Sequence, residues 1–108
     1  GARVSAEPEI VISDAPERKR YELTVDGELA GFLIYRAREG LIALIHTEVE
    51  DGYEGRGLGG RLARFALDRA REQGLAVLPF CPFVNEWMKR HPEYTDLVPA
   101  QFRAEFEL

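Results

Sequence analysis

A glycine-rich segment in the middle of the chain, residues 55–60, has the residue types and spacing to bind an anion. It reads Gly-Arg-Gly-Leu-Gly-Gly, follows an apolar run at 41–45 and precedes a long helical pattern. Glycines at such a junction let the backbone adopt positive φ and come close to a ligand. Backbone N–H groups can then converge, and the first turn of the helix adds unpaired donors and a positive dipole end. The segment therefore predicts a phosphate or pyrophosphate site.

Three classes of phosphate-containing ligand compete for this segment, and the neighbouring residues argue against two of them. Gly55-x-Gly57-x-x-Gly60 matches the dinucleotide fingerprint, but that fold needs an acidic residue about 20 positions later, and residues 77–80 contain no acid. A nucleoside triphosphate loop ends in Gly-Lys-Ser or Gly-Lys-Thr, whereas this segment is followed by Arg61. The third class is coenzyme A.

The elements around the segment are predicted to be an antiparallel meander before it and a helix after it. Asp26-Gly27 is a strong hairpin signal, and the connections between the first strands are too short for parallel crossovers. Leu41–Val49 is predicted to be buried on both faces for most of its length. The predicted strands are 10–12, 21–25, 29–37, 41–49 and 75–78, the last parallel to the fourth, and the predicted helices are 58–73 and 82 to about 91.

Composition limits the classes of protein and of site. A chain of 108 residues is expected to form one domain, with residues 1–9 as a loose end. The net charge of −5 argues against a nucleic-acid binder. Cys81 is the single cysteine, so no internal disulfide or metal-ligand spacing exists, and no apolar run approaches the roughly 20 residues that span a bilayer. A cytoplasmic protein without a metal or a membrane partner is therefore expected.

The sequence assigns two aromatic residues to the core and leaves the structure of the C-terminal segment undecided. Phe83 and Trp87 are expected in the core. Residues 102–108 alternate as a strand does, but Val98, Phe102 and Phe106 also fit one face of a helix, so the sequence does not decide the C-terminal structure.

Five blocks of the sequence resemble, in order, the minimal single-domain acetyltransferases of the NATD type, a branch of the GNAT family of N-acetyltransferases. The blocks are 46–49, 53–59, 66–71, 79–84 and 90–94, and the resemblance covers about residues 20 to 98. The phosphate motif of the family, Arg/Gln-x-x-Gly-x-Gly/Ala, aligns with residues 54–59, where Gly57 and Gly59 match and Glu54 departs from the usual Arg or Gln. Like that branch, this chain lacks the helices that larger GNAT enzymes insert after the first strand.

The resemblance implies an α+β fold, a mixed and mainly antiparallel sheet packed with two helices, and transfer of an acetyl group from acetyl-coenzyme A to a primary amine. It implies that the pantetheine arm follows the strand end at 47–49, where the next strand diverges, and that a backbone N–H near Thr47 or Val49 polarises the thioester carbonyl. Arg64 is one helical turn beyond the glycines and could pair with a phosphate. The expected coenzyme-binding residues are Thr47, Val49, Glu54, Gly55, Arg56, Gly57, Leu58, Gly59, Gly60, Arg61 and Asn85.

Three residues are candidates for catalysis, and two mechanisms remain open between them. Cys81 precedes Pro82 and so falls at a helix N-terminus, where thiol pKa values are lowered; it could accept the acetyl group transiently. In the alternative, direct transfer, Cys81 only lines the slot and a base deprotonates the amine. His46 and Glu48 share a strand face, and either could be that base.

The rival function is a non-catalytic acyl-coenzyme A binder that acts as a sensor or interaction module. Larger GNAT enzymes often use a tyrosine on the second helix as an acid, and the position expected for it here is Pro92. The acceptor amine, which could be a small amine, a lysine side chain or a protein N-terminus, and the oligomeric state cannot be read from the chain.

Overall fold

The computed structural model describes residues 7–108, in which a five-stranded sheet carries helices. The strands are β1 (Ile10–Ala15), β2 (Arg20–Val25), β3 (Glu28–Arg38), β4 (Leu41–Val49) and β5 (Ala76–Pro79); the helices are α1 (Leu58–Gln73), α2 (Pro82–Lys89) and the short α3 (Ala100–Arg103). One-turn or two-turn 3-10 helices occupy Pro16–Arg18 and Pro92–Leu97.

The sheet order is β1-β2-β3-β4-β5, with antiparallel pairs except for the parallel pair β4–β5. This confirms the predicted meander and the predicted strand–helix–strand crossover, because hairpin turns are short and a parallel return needs the helix. One expectation was wrong in extent: the first strand was predicted to span 10–12, but β1 continues through Asp14 and Ala15, which pair with Tyr21 and Arg20.

The N-terminal end was expected to be loose through residue 9, but Glu9 is held against the β2–β3 turn. Its N–H donates to Asp26 Oδ1 at 2.9 Å, and its carbonyl accepts from the Asp26 N–H at 2.8 Å. Residues 7 and 8 belong to no helix or strand, and residues 1–6 lie outside the described residues.

Neither of the two interpretations of the C-terminal segment describes it fully. Residues 98–108 contain no strand; α3 supplies a single short helix, and Phe106 is buried against Phe80 with ring centroids 5.3 Å apart. The alternation of apolar and polar residues in the sequence arose because exposed glutamates lie on either side of the buried Phe106.

A single cluster of buried residues joins the inner face of the sheet to α1 and α2. From α1 it includes Leu58, Leu62, Ala63, Ala66, Leu67 and Ala70, which is the predicted 3.6-residue period. Gly74 ends α1 in the left-handed conformation, with φ 70°.

A β-bulge in β4 determines which of its residues face the helices. Tyr35 pairs with Leu44 and Ile34 pairs with His46, so Ile45 is an extra residue between them. Leu44 is fully buried and Ile45 is 36% exposed. The expectation that this strand is buried on both faces was therefore wrong, because the helices cover only the face that carries Ile42 and Leu44.

Beyond the bulge, alternate residues of β4 point to opposite faces of the sheet. Thr47 pairs with Leu33, which is fully buried, so Thr47 faces the helices. His46 and Glu48 therefore face the other side. The pairing of β4 with β5 ends at Leu44 and Pro79, and β4 continues without that neighbour to Val49.

Candidate functional site

The segment at 55–60 forms the turn that starts α1, and its backbone N–H groups have no acceptor within residues 7–108. Gly55 and Gly57 have φ of 79° and 74°, which L side chains rarely adopt, and Gly57 is the residue before the first helical turn. The first helical bond starts only at Arg61, whose N–H donates to the Gly57 carbonyl at 3.2 Å. Six consecutive amides are thus free to bind a ligand.

Five of these six residues line a cavity of about 240 Å³ between the end of β4 and the first turn of α1. The cavity is lined by Val49, Tyr53, Glu54, Gly55, Gly57, Leu58, Gly59, Gly60 and Phe83. The segment therefore combines a cluster of N–H donors and a helix N-terminus, which favour a bound phosphate, with a neighbouring open volume.

Gly59 and Gly60 are glycine for a reason different from that of Gly55 and Gly57. Both have helical backbone; a Cβ on Gly59 would lie 2.8 Å from Phe83 Cζ, and one on Gly60 would lie 3.1 Å from Trp87 Nε1. The two positions let α2 pack closely against the first turn of α1.

Phe83 forms one wall of the cavity, a role that the sequence interpretation missed. Its expected place in the core was wrong, because the side chain is 43% exposed, whereas Trp87 is 5% exposed and buried as expected. A signal was present in the chain: Phe83 and Trp87 are one helical turn apart, and adjacent glycines at 59 and 60 can receive such a pair.

Cys81 and Thr47 meet on the helix side of β4, at the point where β5 stops pairing. The Cys81 Sγ and Thr47 Oγ1 atoms are 3.3 Å apart, and the cysteine is 2% exposed. Cys81 precedes the first residue of α2, as predicted, and its N–H donates to the Leu44 carbonyl at 2.8 Å. The gap between the strands thus begins directly beside the thiol.

His46 and Glu48 meet on the opposite, open face of β4. The His46 Nε2 and Glu48 Oε1 atoms are 2.7 Å apart, with side chains 52% and 49% exposed. The predicted shared face is confirmed, and the hydrogen bond leaves His46 Nδ1 directed away from the carboxylate. The strand separates this pair from Cys81.

The charged residues of the turn differ in their surroundings. Glu54 Oε1 accepts a hydrogen bond from the Gly52 N–H at 2.9 Å, beside the cavity. Arg56 lies with its guanidinium carbon 5.3 Å from the Tyr53 ring centroid. The Tyr53 hydroxyl donates to Glu28 Oε1 at 3.1 Å, and this hydrogen bond raises the pKa of Tyr53, so the tyrosine is a neutral wall of the cavity.

Arg61, Arg64 and Asn85 are the remaining candidates. Arg61 is exposed on α1, and Arg64 lies over Trp87 with its guanidinium carbon 5.1 Å from the ring. Asn85 donates from Nδ2 to the Phe106 carbonyl at 3.0 Å and lines a different groove, beside Phe80. Its expected contact with the coenzyme arm stays a prediction, and the observed bond connects α2 to the C-terminal segment.

Two kinds of feature are absent from residues 7–108. No helix in that range is long and apolar enough to cross a membrane. The same range holds no group of three His, Cys, Asp or Glu side chains that could bind a metal ion.

Comparisons with known proteins agree with this arrangement. A sequence model described as GCN5-related N-acetyl-transferase matches residues 20–97. The protein NATD1 of Gallus gallus is 35% identical over 80 residues, covering 70% of this chain and 73% of that protein. The streptothricin acetyltransferase of Streptomyces lavendulae is 40% identical over 67 residues, covering 60% of this chain and 35% of that enzyme.

The fold has a counterpart among solved structures as well. The solution structure of a GCN5-like protein from Staphylococcus aureus matches with a TM-score of 0.64 and 23% identity, covering 82% of this chain and 87% of that one. The resemblance to the NATD-type branch and the predicted α+β fold are both confirmed. The chain therefore belongs to the GCN5-related N-acetyltransferase family, and it is an acetyltransferase.

Proposed function

We propose that this chain transfers an acetyl group from acetyl-coenzyme A to a primary amine and that the amides of residues 55–60 bind the pyrophosphate of the coenzyme. The observation that carries the proposal is that these six consecutive N–H groups have no acceptor among the described residues and that five of the six residues, all but Arg56, line the 240 Å³ cavity. Unpaired donors at a helix N-terminus stabilise a bound anion through hydrogen bonds and the helix dipole.

The pantetheine arm would run from the cavity along Thr47–Val49 into the gap beside β5. Two features support this path: Val49 lines the cavity, and β4 has no β5 partner beyond Leu44. The edge of β4 that faces the gap then supplies backbone groups to the arm, and an N–H near Thr47 or Val49 stabilises the negative charge that develops on the thioester oxygen.

In the direct mechanism, the amine approaches from the open face of β4, where His46 and Glu48 are. The amine must lose a proton before its nitrogen attacks the thioester carbonyl. His46 accepts that proton, and Glu48, at 2.7 Å, orients the imidazole and stabilises its charged form. The C–S bond then breaks, and coenzyme A leaves as the thiol or thiolate.

In the covalent mechanism, the Cys81 thiolate attacks the same carbonyl and holds the acetyl group as a thioester until the amine attacks it. The position of the thiol beside the gap supports this alternative, while its burial and its contact with Thr47 favour a lining role. Mass spectrometry of the intact protein, quenched after treatment with acetyl-coenzyme A, distinguishes the two. A gain of one acetyl group that Cys81→Ala abolishes supports the covalent route, and no gain supports direct transfer.

The coenzyme site is tested by calorimetric titration of two matched glycine variants. Gly57→Ala and Gly40→Ala both place alanine at a φ near 73°, with no atom within 4 Å of the new Cβ, so their strain should be equal. Gly40 lies in the β3–β4 turn, outside the residues that line the cavity. Because only Gly57→Ala disturbs the amides, it should weaken acetyl-coenzyme A binding by about tenfold while both variants lose about 1 kcal/mol of stability. Equal affinities for the two variants would contradict the assignment.

The rival function, a non-catalytic acyl-coenzyme A binder, makes a different prediction. Purified protein would bind the coenzyme but release no free thiol with any amine.

The proposed base is tested in the same assay: Glu48→Gln and His46→Gln should lower kcat by about 100-fold or more and leave the affinity for acetyl-coenzyme A unchanged. The name of the streptothricin enzyme shows that a similar sequence can accept a small-molecule substrate, so small amines belong in the screen.

A further inference from the structure

The sheet has two edge strands, β1 and β5, and they differ in how well they are protected. β5 has only four residues and ends at Pro79, which has no N–H. The C-terminal segment lies beside both ends of β5, because Leu97 and Phe106 line cavities together with residues of that strand. β1 has six residues, contains no proline or lysine and keeps an unbroken register with β2. Proteins normally use such devices to prevent pairing at an edge, so β1 is the edge that can accept another strand.

Alternate residues of β1 direct their backbone groups away from the sheet. The Asp26 N–H donates to the Glu9 carbonyl at 2.8 Å, and alternation from this pair assigns the odd-numbered residues of β1 to the hydrogen bonds with β2. The even-numbered residues therefore direct their N–H and C=O groups outward; they are Ile10, Ile12 and Asp14. None of these outward groups has a backbone partner within residues 7–108.

The side chains at this edge are apolar on both faces of the sheet. Ile12 pairs with the fully buried Leu23, so it faces the helices, and it lines a cavity of about 420 Å³ with residues of α1. Val11 faces the opposite side and is 46% exposed. A strand added at this edge would therefore bury apolar surface as well as satisfy the outward backbone groups.

A second copy of β1 satisfies this edge completely. Antiparallel pairing about a two-fold axis at Ile12 sets Ile12 against the partner's Ile12, and Ile10 against the partner's Asp14. No other symmetric register pairs all three outward residues of both copies. The edge is thus complementary to itself in its hydrogen-bonding groups.

The charges at the two ends of β1 also complement each other in this arrangement. Glu7 and Glu9 lie at the start of the strand, and Lys19 lies in the turn that follows it. Arg18, in the same turn, is held by Glu22 at 2.7 Å, whereas Lys19 has no salt bridge within residues 7–108. Antiparallel pairing brings the acidic end of each copy toward the lysine of the other, and a parallel pair would bring like charges together.

We propose that β1 is a self-association edge, through which two copies of this chain pair in antiparallel orientation and form one continuous sheet. The inference goes beyond the proposed function and does not depend on it, because β4 and the glycine turn lie three strands away. We expect a reversible dimer with a Kd on the order of 10 µM, since two short strands bury less surface than the roughly 1,600 Å² of a standard interface.

Sedimentation velocity and amide hydrogen exchange of the full chain test the proposal together. At about 500 µM, roughly nine-tenths of the chains should be dimers, and dilution should dissociate them. The amides of Ile10, Ile12 and Asp14 should then exchange about tenfold more slowly than in the monomer. The amides of Val11 and Ser13 are the internal control, because they are bonded to β2 in both states and should not change.

A pair of variants at the two-fold axis isolates the backbone contribution. Ile12→Pro removes the outward N–H, and proline is tolerated at an edge where that N–H faces solvent, so the monomer should still fold. Ile12→Ala also shortens the side chain but keeps the N–H. Because each dimer contains the position twice, Ile12→Pro should weaken dimerisation about tenfold more than Ile12→Ala.

Three results would overturn the proposal: a monomer at every concentration, a dimer in which the three outward amides stay unprotected, or equal dimerisation of the two variants. Protection of these amides that does not depend on concentration would also overturn it, because the edge would then be covered within a single chain.

Discussion

The carboxylate of Glu54 is expected to weaken coenzyme binding, and its removal should strengthen it. Glu54 lines the cavity, and its Oε1 accepts the Gly52 N–H at 2.9 Å. Glu54→Gln removes the charge but keeps an oxygen that can accept the same hydrogen bond, so the turn should retain its shape. The variant therefore isolates the electrostatic effect of the one residue that departs from the phosphate motif of the family.

The magnitude follows from Coulomb's law. Because Glu54 is exposed, the dielectric constant of water applies; at roughly 7 Å each of two phosphate charges is repelled by about 0.6 kcal/mol. Screening at about 0.1 M salt, where the Debye length is about 10 Å, reduces the sum of about 1.2 kcal/mol to about 0.6 kcal/mol. Glu54→Gln should therefore bind coenzyme A about threefold more tightly at this salt concentration.

Calorimetric titration at low and high salt measures the effect. The gain should approach about eightfold at low salt and largely disappear near 1 M salt, because the Debye length then falls to about 3 Å. Glu39→Gln is the control, since Glu39 is an exposed glutamate beside the β3–β4 turn and does not line the cavity. A gain that is independent of salt, an equal gain with the control, or weaker binding would refute the placement of the phosphates beside Glu54.

Three further predictions concern stability. Leu62→Ala, at a fully buried position on α1, should destabilise the fold by about 2–5 kcal/mol in urea unfolding, because it leaves a cavity beneath the helix. The hydrogen bond from Arg18 holds the pKa of Glu22 at about 2, below its ordinary value of 4.5. A depressed folded pKa adds stability above pH 4.5 that is lost as the pH falls toward 2, so Glu22→Gln should flatten the pH dependence of unfolding in that window. Gly59→Ala should change the thermal midpoint little, since a gain of about 1 kcal/mol in helix propensity offsets the displacement of the exposed Phe83 ring; a large loss of stability would show that the ring cannot move.

Local signals in the sequence predicted most of the framework. Asp26-Gly27 specifies a tight hairpin whatever surrounds it, and the period of Leu58–Gln73 specifies a helix with one apolar face. Gly55 and Gly57 were predictable for the same reason, because their positive φ is a property of the backbone at the turn itself. The unpaired amides follow from the start of the helix and need no distant partner.

Features that depend on packing between distant segments could not be predicted in this way. Gly59 and Gly60 look like part of the turn in the sequence, and only the approach of Phe83 and Trp87 from α2 shows that they serve helix packing. Phe83 was assigned to the core because aromatic residues usually are, but the cavity at the end of β4 leaves its ring half exposed. The C-terminal segment has no strong period, so the burial of Phe106 against Phe80 determined its path.

The two faces of β4 show most clearly what the sequence determines and what only the tertiary structure determines. Alternation in the chain is enough to place His46 and Glu48 together, since side chains two residues apart in a strand share a face. Alternation does not tell on which face of the sheet the two residues lie, because the one extra residue, Ile45, moves every later residue of β4 to the opposite face. The bulge arises from pairing with β3, a segment about ten residues away in the chain, and it turns Thr47 toward Cys81 and His46 toward the open side. The residue types that can do the chemistry are therefore inherent in the chain, while strand pairing in three dimensions fixes the side of the sheet on which each one lies.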